Sequence, residues 1–173
     1  MPRTIGAQIL GHLRAAAPSE GVGLIAVTLL GGDGVAEATH FYPGTNLDAS
    51  PSRYTMDPAE VLAAFRDMEA RGWRLGAIAH SHPVTAAVPS ETDLREAHYR
   101  DALMLIVSLA GTTPEIRAWQ VVPAETATWA VVEVPVMGMG AEAKAAATDW
   151  RRRSGPVLEE DGAGPGQGTR GGG

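Results

Sequence analysis

The chain contains no cysteine. Disulfide frameworks, iron–sulfur clusters, thiolate zinc sites and thiol nucleophiles are therefore excluded. Basic residues are scarce as well: 14 Lys and Arg stand against 20 Asp and Glu, for a net charge of −6. Phosphate backbones are gripped by clustered Lys and Arg, so nucleic acid is not an expected partner. The one basic run, Arg151-Arg152-Arg153, is short and precedes a Gly-rich stretch, the pattern of a solvated face. No apolar run approaches the ~20 residues needed to span a bilayer, and Met1 to Gln8 lacks an apolar stretch of secretory length. The expectation is a cytoplasmic protein with no membrane partner. A Gly-x-Ser-x-Gly elbow is missing, which argues against a serine hydrolase. Gly31-Gly32-Asp33-Gly34 lacks the following Lys of a phosphate cradle and reads as a turn.

What is present suits a globular fold. The 173 residues, 45% of them hydrophobic, are enough for one domain with a real core. Ile5, Ile9 and Leu13 recur at helical spacing, with His12 on the polar side, and Pro18 ends that element. Val22–Leu30 and Val35–Tyr42 flank the 31–34 turn as a hairpin, and His40 is expected to face solvent. Residues 43–56 read as a loop. Asp57 then caps a helix in which Pro58 suits the first turn, Glu60 completes a capping box and Gly72 supplies the stop. Val61, Leu62, Phe65 and Met68 form its apolar face.

Further strands are expected at Arg74–Ala79, Leu103–Leu109, Glu115–Val122 and Trp129–Val134. Residues 80–89 read as a loop, and a helix begins at Ser90. Trp73, Trp119 and Trp129 read as core or rim packing. The element order gives an α/β fold, a mixed β-sheet sandwiched by helices. The expected organisation is a domain over residues 1–135, a helix within 136–153 and a disordered tail over 154–173, where eight of twenty residues are Gly.

The chemistry concentrates in His80-Ser81-His82-Pro83 and Ser90-Glu91-Thr92-Asp93. In extended chain, residues two apart point to the same side, so His80 and His82 can present both imidazoles to one point. Asp93, in the first turn of the next helix, can fold back to meet them. Two His and one carboxylate are a ligand set that catalytic zinc favours, the fourth position going to water. Each piece also has a plainer reading. The His pair fits a solvated loop, Ser90 and Asp93 match a capping box, and Glu20 fits a polar loop residue.

Taken together, His-x-His-Pro-x6-Ser-x-x-Asp with an upstream Glu resembles the JAMM (MPN-plus, Mov34/PAD) zinc metalloproteases. Ser19-Glu20-Gly21-Val22-Gly23-Leu24, Tyr54-Thr55-Met56-Asp57-Pro58-Ala59-Glu60, Arg71-Gly72-Trp73 and Leu105-Ile106-Val107-Ser108-Leu109 are similar to the bacterial branch. The resemblance covers residues 5–122. It implies an α/β/α sandwich similar to that of cytidine deaminases, with one Zn2+ per chain held by His80, His82 and Asp93. Glu20 would be the general base that takes a proton from the attacking water and hands it to the leaving amine. Ser90 would stabilise the oxyanion. Val22 stands where relatives carry Cys, a conservative apolar change, and Arg100 departs from a Tyr-Pro step of some relatives.

The substrate so implied is a small ubiquitin-like sulfur-carrier protein ending in Gly-Gly, cut after the second Gly to release cysteine or a short extension. Residues 43–56, with Asn46, Ser50, Ser52 and Arg53, are the expected wall of the groove. Alternatives are an isopeptidase that frees ubiquitin-like proteins from lysines and a non-catalytic MPN scaffold. A homodimer is an assembly that relatives adopt. A zinc deaminase is disfavoured, because those sites use a Pro-Cys-x-x-Cys pair. His98 is not assigned to the chemistry. Arg170-Gly171-Gly172 resembles the Arg-Gly-Gly end of a ubiquitin-like protein.

Overall fold

The computed structural model describes residues 1–30, 35–123 and 130–137. The expected 31–34 turn, Trp129, all but the first two residues of the 136–153 segment expected to hold a helix, and the Gly-rich tail lie outside the described residues. The elements in chain order are α1 (Arg3–Ala15), β1 (Val22–Leu30), β2 (Val35–Gly44), α2 (Pro58–Ala70), β3 (Arg74–His82), α3 (Glu91–Arg95), β4 (Leu103–Ser108), β5 (Glu115–Val122) and β6 (Ala130–Val134).

The strands form one six-stranded sheet in the order β2-β1-β3-β4-β5-β6. Every neighbouring pair is antiparallel except β3 and β4, which run parallel and are joined by the crossover containing α3. Strand alternation sends successive side chains to opposite faces. Ile25, Ala77, Ala79, Leu105 and Val107 pack with Ile5, Ile9 and Leu13 of α1. Leu24 and Ala26 pack with Ala64 and Met68 of α2 on the other side. The mixed sheet is thus sandwiched by helices, as its order of elements predicts. None of the described helices is long and apolar enough to cross a membrane.

Four local expectations change. The β3 ladder continues through His80, Ser81 and His82 instead of ending at Ala79, because Ile106, Val107 and Ser108 of β4 supply partners that far. Asp57 caps α2 through Ala59 N–H at 2.7 Å, but Glu60 does not close a capping box. Its carboxylate accepts from the Thr45 N–H (2.6 Å) and Oγ1 (2.9 Å), tying α2 to the preceding loop. Leu62 leaves the buried stripe and is 51% exposed, while Ala64, whose small side chain lets the helix sit close to the sheet, takes its place. His12 turns inward rather than to solvent. Its Nε2 lies 3.0 Å from the Val22 carbonyl and 3.2 Å from that of Gly44, two acceptors at the end of the β1–β2 pair that need a donor. Gly72 has φ +68°, the left-handed conformation that ends a helix cheaply only with Gly.

Candidate active site

The sheet register assembles most of the site. His80 and His82 stand two residues apart on β3 and leave its same face, both fully or nearly fully buried. β1 runs antiparallel beside them with Val22 opposite His80, so Glu20 arrives at the level of His82. Asp93 comes from α3. Its position is fixed by a complete capping box, in which Asp93 N–H donates to Ser90 Oγ (3.2 Å) and Ser90 N–H donates to Asp93 Oδ2 (2.7 Å). The cap and the cluster coexist on one carboxylate.

His80 Nε2 lies 3.4 Å from Asp93 Oδ1, and His82 Nε2 lies 3.4 Å from Asp93 Oδ2. The two Nε2 atoms are 3.2 Å apart, and one ligand atom from each of the three residues falls within 4.8 Å of the others. The Ala86 carbonyl sits 2.8 Å from His82 Nδ1, which assigns the proton to Nδ1 and leaves the Nε2 lone pair directed at the cluster. His80 Nδ1 is buried without a hydrogen-bond partner, and the Tyr54 ring lies 4.9 Å from the His80 ring.

Charge follows from burial and neighbours. Burial keeps His80 below the usual imidazole range despite Asp93 beside it. Burial also opposes a charge on His82, but Asp93, the Ala86 carbonyl and Glu20 outweigh it and raise that imidazole. For Asp93, desolvation is outweighed by bonds from His80, His82 and Ser90, which hold the carboxyl well below the ordinary range. Glu20 is pushed up to about 7, chiefly by burial, with His82 opposing and Asp93 reinforcing. The Tyr54 phenol is raised by burial and by the charges of Asp93, Glu20 and Glu96. Two imidazole nitrogens and a carboxylate so placed are compatible with a cation.

Ser90 Oγ donates to Asp93 Oδ2 at 2.7 Å, so its proton is committed to that carboxylate in this conformation. Glu20 and Gly21 are clamped through all four of their backbone polar groups. Glu20 N–H donates to the Ser50 carbonyl (2.8 Å), and Asn46 Nδ2 donates to the Glu20 carbonyl (2.9 Å). Gly21 N–H donates to Ser81 Oγ (2.8 Å), and Ser81 N–H donates to the Gly21 carbonyl (3.0 Å).

In the segment expected to wall the groove, the Asn46 side chain and the Ser50 carbonyl thus hold the Glu20 backbone. The physical reason is that Glu20 precedes β1 and has no ladder partners of its own. Ser52 lies exposed, and its N–H bonds Ser50 Oγ. Arg53 alone of the four borders the cleft, an apolar hollow of about 640 Å³ between α2, the sheet and the segment after α3, with Asp93 and Tyr54 on its wall. His98 borders the same cleft and is no member of the His80–His82–Asp93 cluster.

Tyr54 and Ser81 were missed as site residues by sequence reasoning. Ser81 gives no signal, since its partner lies sixty positions away in the chain. Asn46 does carry one: Asp48 N–H donates to Asn46 Oδ1, an Asx turn that Asn-x-Asp in a loop foreshadows.

The donor set fits a divalent ion. Two imidazole Nε2 atoms and a carboxylate converge in a buried pocket, one imidazole is oriented by a backbone carbonyl, and acidic neighbours supply the compensating charge.

Comparison with known proteins identifies the family. The family described as prokaryotic homologs of the JAB domain matches residues 2–122. A Thermus thermophilus protein named probable TtuB-protein conjugate cleaving protease is 39% identical over 101 residues, 58% of this chain. That match spans 64% of the Thermus protein, less than two thirds of its length. The CysO-cysteine peptidase of Mycobacterium tuberculosis is 33% identical over 129 residues, covering 74% of this chain and 82% of the relative. The solution structure of DSY2949 from Desulfitobacterium hafniense superposes with a TM-score of 0.64 at 34% identity, over 77% of this chain and 87% of that one. The family match over residues 2–122 and the relatives show that the chain belongs to the prokaryotic JAB-domain family, of the JAMM type.

Proposed function

We propose that this chain is a zinc metallopeptidase that hydrolyses the bond after the Gly-Gly of a small ubiquitin-like sulfur-carrier protein, releasing cysteine or a short carboxy-terminal extension. The observation that carries the reading is the convergence of His80, His82 and Asp93 beside the buried Glu20. In it, His80, His82 and Asp93 hold one Zn2+. A zinc ion there would bring the pKa of a bound water to about 7 and polarise the scissile carbonyl.

The chain's own residues do the rest. Glu20, buried beside the cluster, is the general base: the same carboxylate accepts the proton of the attacking water and returns it to the leaving amine. The carbon–nitrogen bond then breaks without expelling an amide anion. Asp93 is an ionised carboxylate whose Oδ2 is held by the Ser90 N–H. Ser90 is the candidate oxyanion donor. Turning its hydroxyl toward substrate removes one bond to Asp93 Oδ2, while the Ser90 N–H keeps hold of the same oxygen.

The names of the similar proteins support peptidase chemistry on such carriers, and they also favour a second reading. The Thermus relative is named for cleaving protein conjugates, and a Haloferax volcanii relative, 31% identical over 104 residues, is named desampylase. Deconjugation from lysine is the alternative they support. A complete ligand set argues against a silent scaffold.

The test is intact-mass analysis of carriers bearing a carboxy-terminal cysteine, a dipeptide or a lysine isopeptide, incubated with the protein, a chelated sample and Glu20→Ala. Loss of the mass beyond Gly-Gly, abolished in both controls, is the expected result, and the substrate that reacts fixes the reading. No reaction on any of the three overturns it.

A further inference from the structure

Glu20 is the residue whose carboxylate must be aimed, yet no helix or strand holds it. β1 starts two residues later, at Val22. Its backbone is fixed instead by the loop between β2 and α2, through Ser50 O and the Asn46 side chain. That loop is organised around Asn46. Its Nδ2 also donates to the Arg53 carbonyl (3.1 Å), and its Oδ1 accepts from the N–H groups of Asp48 (3.0 Å) and Thr55 (3.1 Å). Asn46 forms a backbone bridge with Met56 as well. Every acceptor and donor of this one amide is therefore used, and the residues it gathers, Arg53, Thr55 and Met56, border the cleft. Between them Tyr54 lays its ring on His80.

We propose that Asn46 is a positioning residue for Glu20. Its amide fastens the cleft wall to the Glu20 carbonyl and so sets where the Glu20 carboxylate stands relative to His80, His82 and Asp93. The inference rests on the metallopeptidase reading for its catalytic consequence and on geometry alone for its structural one. A displacement of about 1 Å in a reacting group costs on the order of 10²-fold in rate, so a side chain that never touches substrate can govern kcat.

Two variants separate the functions of the amide. Asn46→Asp keeps the acceptor that shapes the loop but sets an oxygen against the Glu20 and Arg53 carbonyls. Asn46→Ala removes both halves. Each is combined with Glu20→Gln in a double-mutant cycle.

The expected result is a drop in kcat of about tenfold to a hundredfold for both single variants, with KM and zinc stoichiometry unchanged. In the Glu20→Gln background neither substitution should lower kcat further. Independently of turnover, amide hydrogen exchange at Glu20 and Gly21 should quicken in zinc-free Asn46→Asp while the β4 core amides keep their protection. Multiplicative losses with Glu20→Gln, a raised KM at constant kcat, or unchanged exchange at Glu20 overturns the proposal. If the parent protein turns over none of the three carriers, the metallopeptidase reading fails. The exchange result then decides whether Asn46 holds Glu20.

Discussion

Gly21 and Ser81 hold each other by two hydrogen bonds, Gly21 N–H to Ser81 Oγ at 2.8 Å and Ser81 N–H to Gly21 O at 3.0 Å. Ser81 separates the two histidines and Gly21 follows Glu20, so this contact fixes the candidate base to the candidate ligands. Ser81→Ala strands the buried Gly21 N–H. Leaving such a donor unpaired costs about 1–3 kcal/mol. Urea denaturation should show that loss with an unchanged m-value. A variant as stable as the parent would remove Ser81 from this role.

Gly21 itself has no room for a side chain. A Cβ there would stand 2.9 Å from Leu13 Cδ2 and 3.0 Å from the Leu13 backbone. Gly21→Ala should therefore push α1 off the sheet, with an overpacking cost of about 1–3 kcal/mol. Thermal unfolding measures it, and Gly11→Ala, at an open position on the same helix, is the control that should not destabilise.

Glu20 makes the zinc-free protein less stable as pH rises. Its proton leaves near 4.5 when the chain is unfolded and near 7 when folded. Between those values the folded state binds more protons, so the stability of the metal-free protein falls through that window on account of this residue. Glu20→Gln removes the titration. The stability of the variant minus that of the parent should grow from pH 4.5 to 7 and level off above. Denaturation at the two ends of the window gives the difference, and a flat one contradicts the assignment.

Metal occupancy should be visible in the melting temperature. Zinc at a thousandfold its Kd stabilises by about 4 kcal/mol, which for a chain of this size raises Tm by roughly 8–16 °C. Asp93→Asn should lose most of that increment. Scanning calorimetry with zinc and with a chelator is the measurement, and an equal shift in the variant would show that the ion binds elsewhere.

Most of the fold was readable because its signals are local. Helical spacing at Ile5, Ile9 and Leu13 and the Pro58 start give α1 and α2 within a residue or two. The His80–His82–Asp93 cluster was legible from residue type and spacing, and the capping box at Ser90 was visible beside it. What escaped depends on contacts distant in the chain. His12 is read as polar-facing from helix period alone, yet two strand-end carbonyls recruit it. Glu60 matches a capping box, but Thr45 competes for the carboxylate and wins. Asn46 and Ser50 read only as polar loop residues, whereas the Asn46 amide and the Ser50 carbonyl bond the backbone of Glu20.

The placement of Asp93 at the third position of α3 carries a consequence for anyone who would change the donor set of the candidate site. Exchanging this candidate ligand for His would alter any coordination and, in the same stroke, remove the carboxylate acceptor that closes the Ser90 N–H. A candidate donor and the onset of a short helix thus share one side chain. A redesign would first have to give α3 a different start signal before the ligand could be changed without unravelling the turn that delivers it.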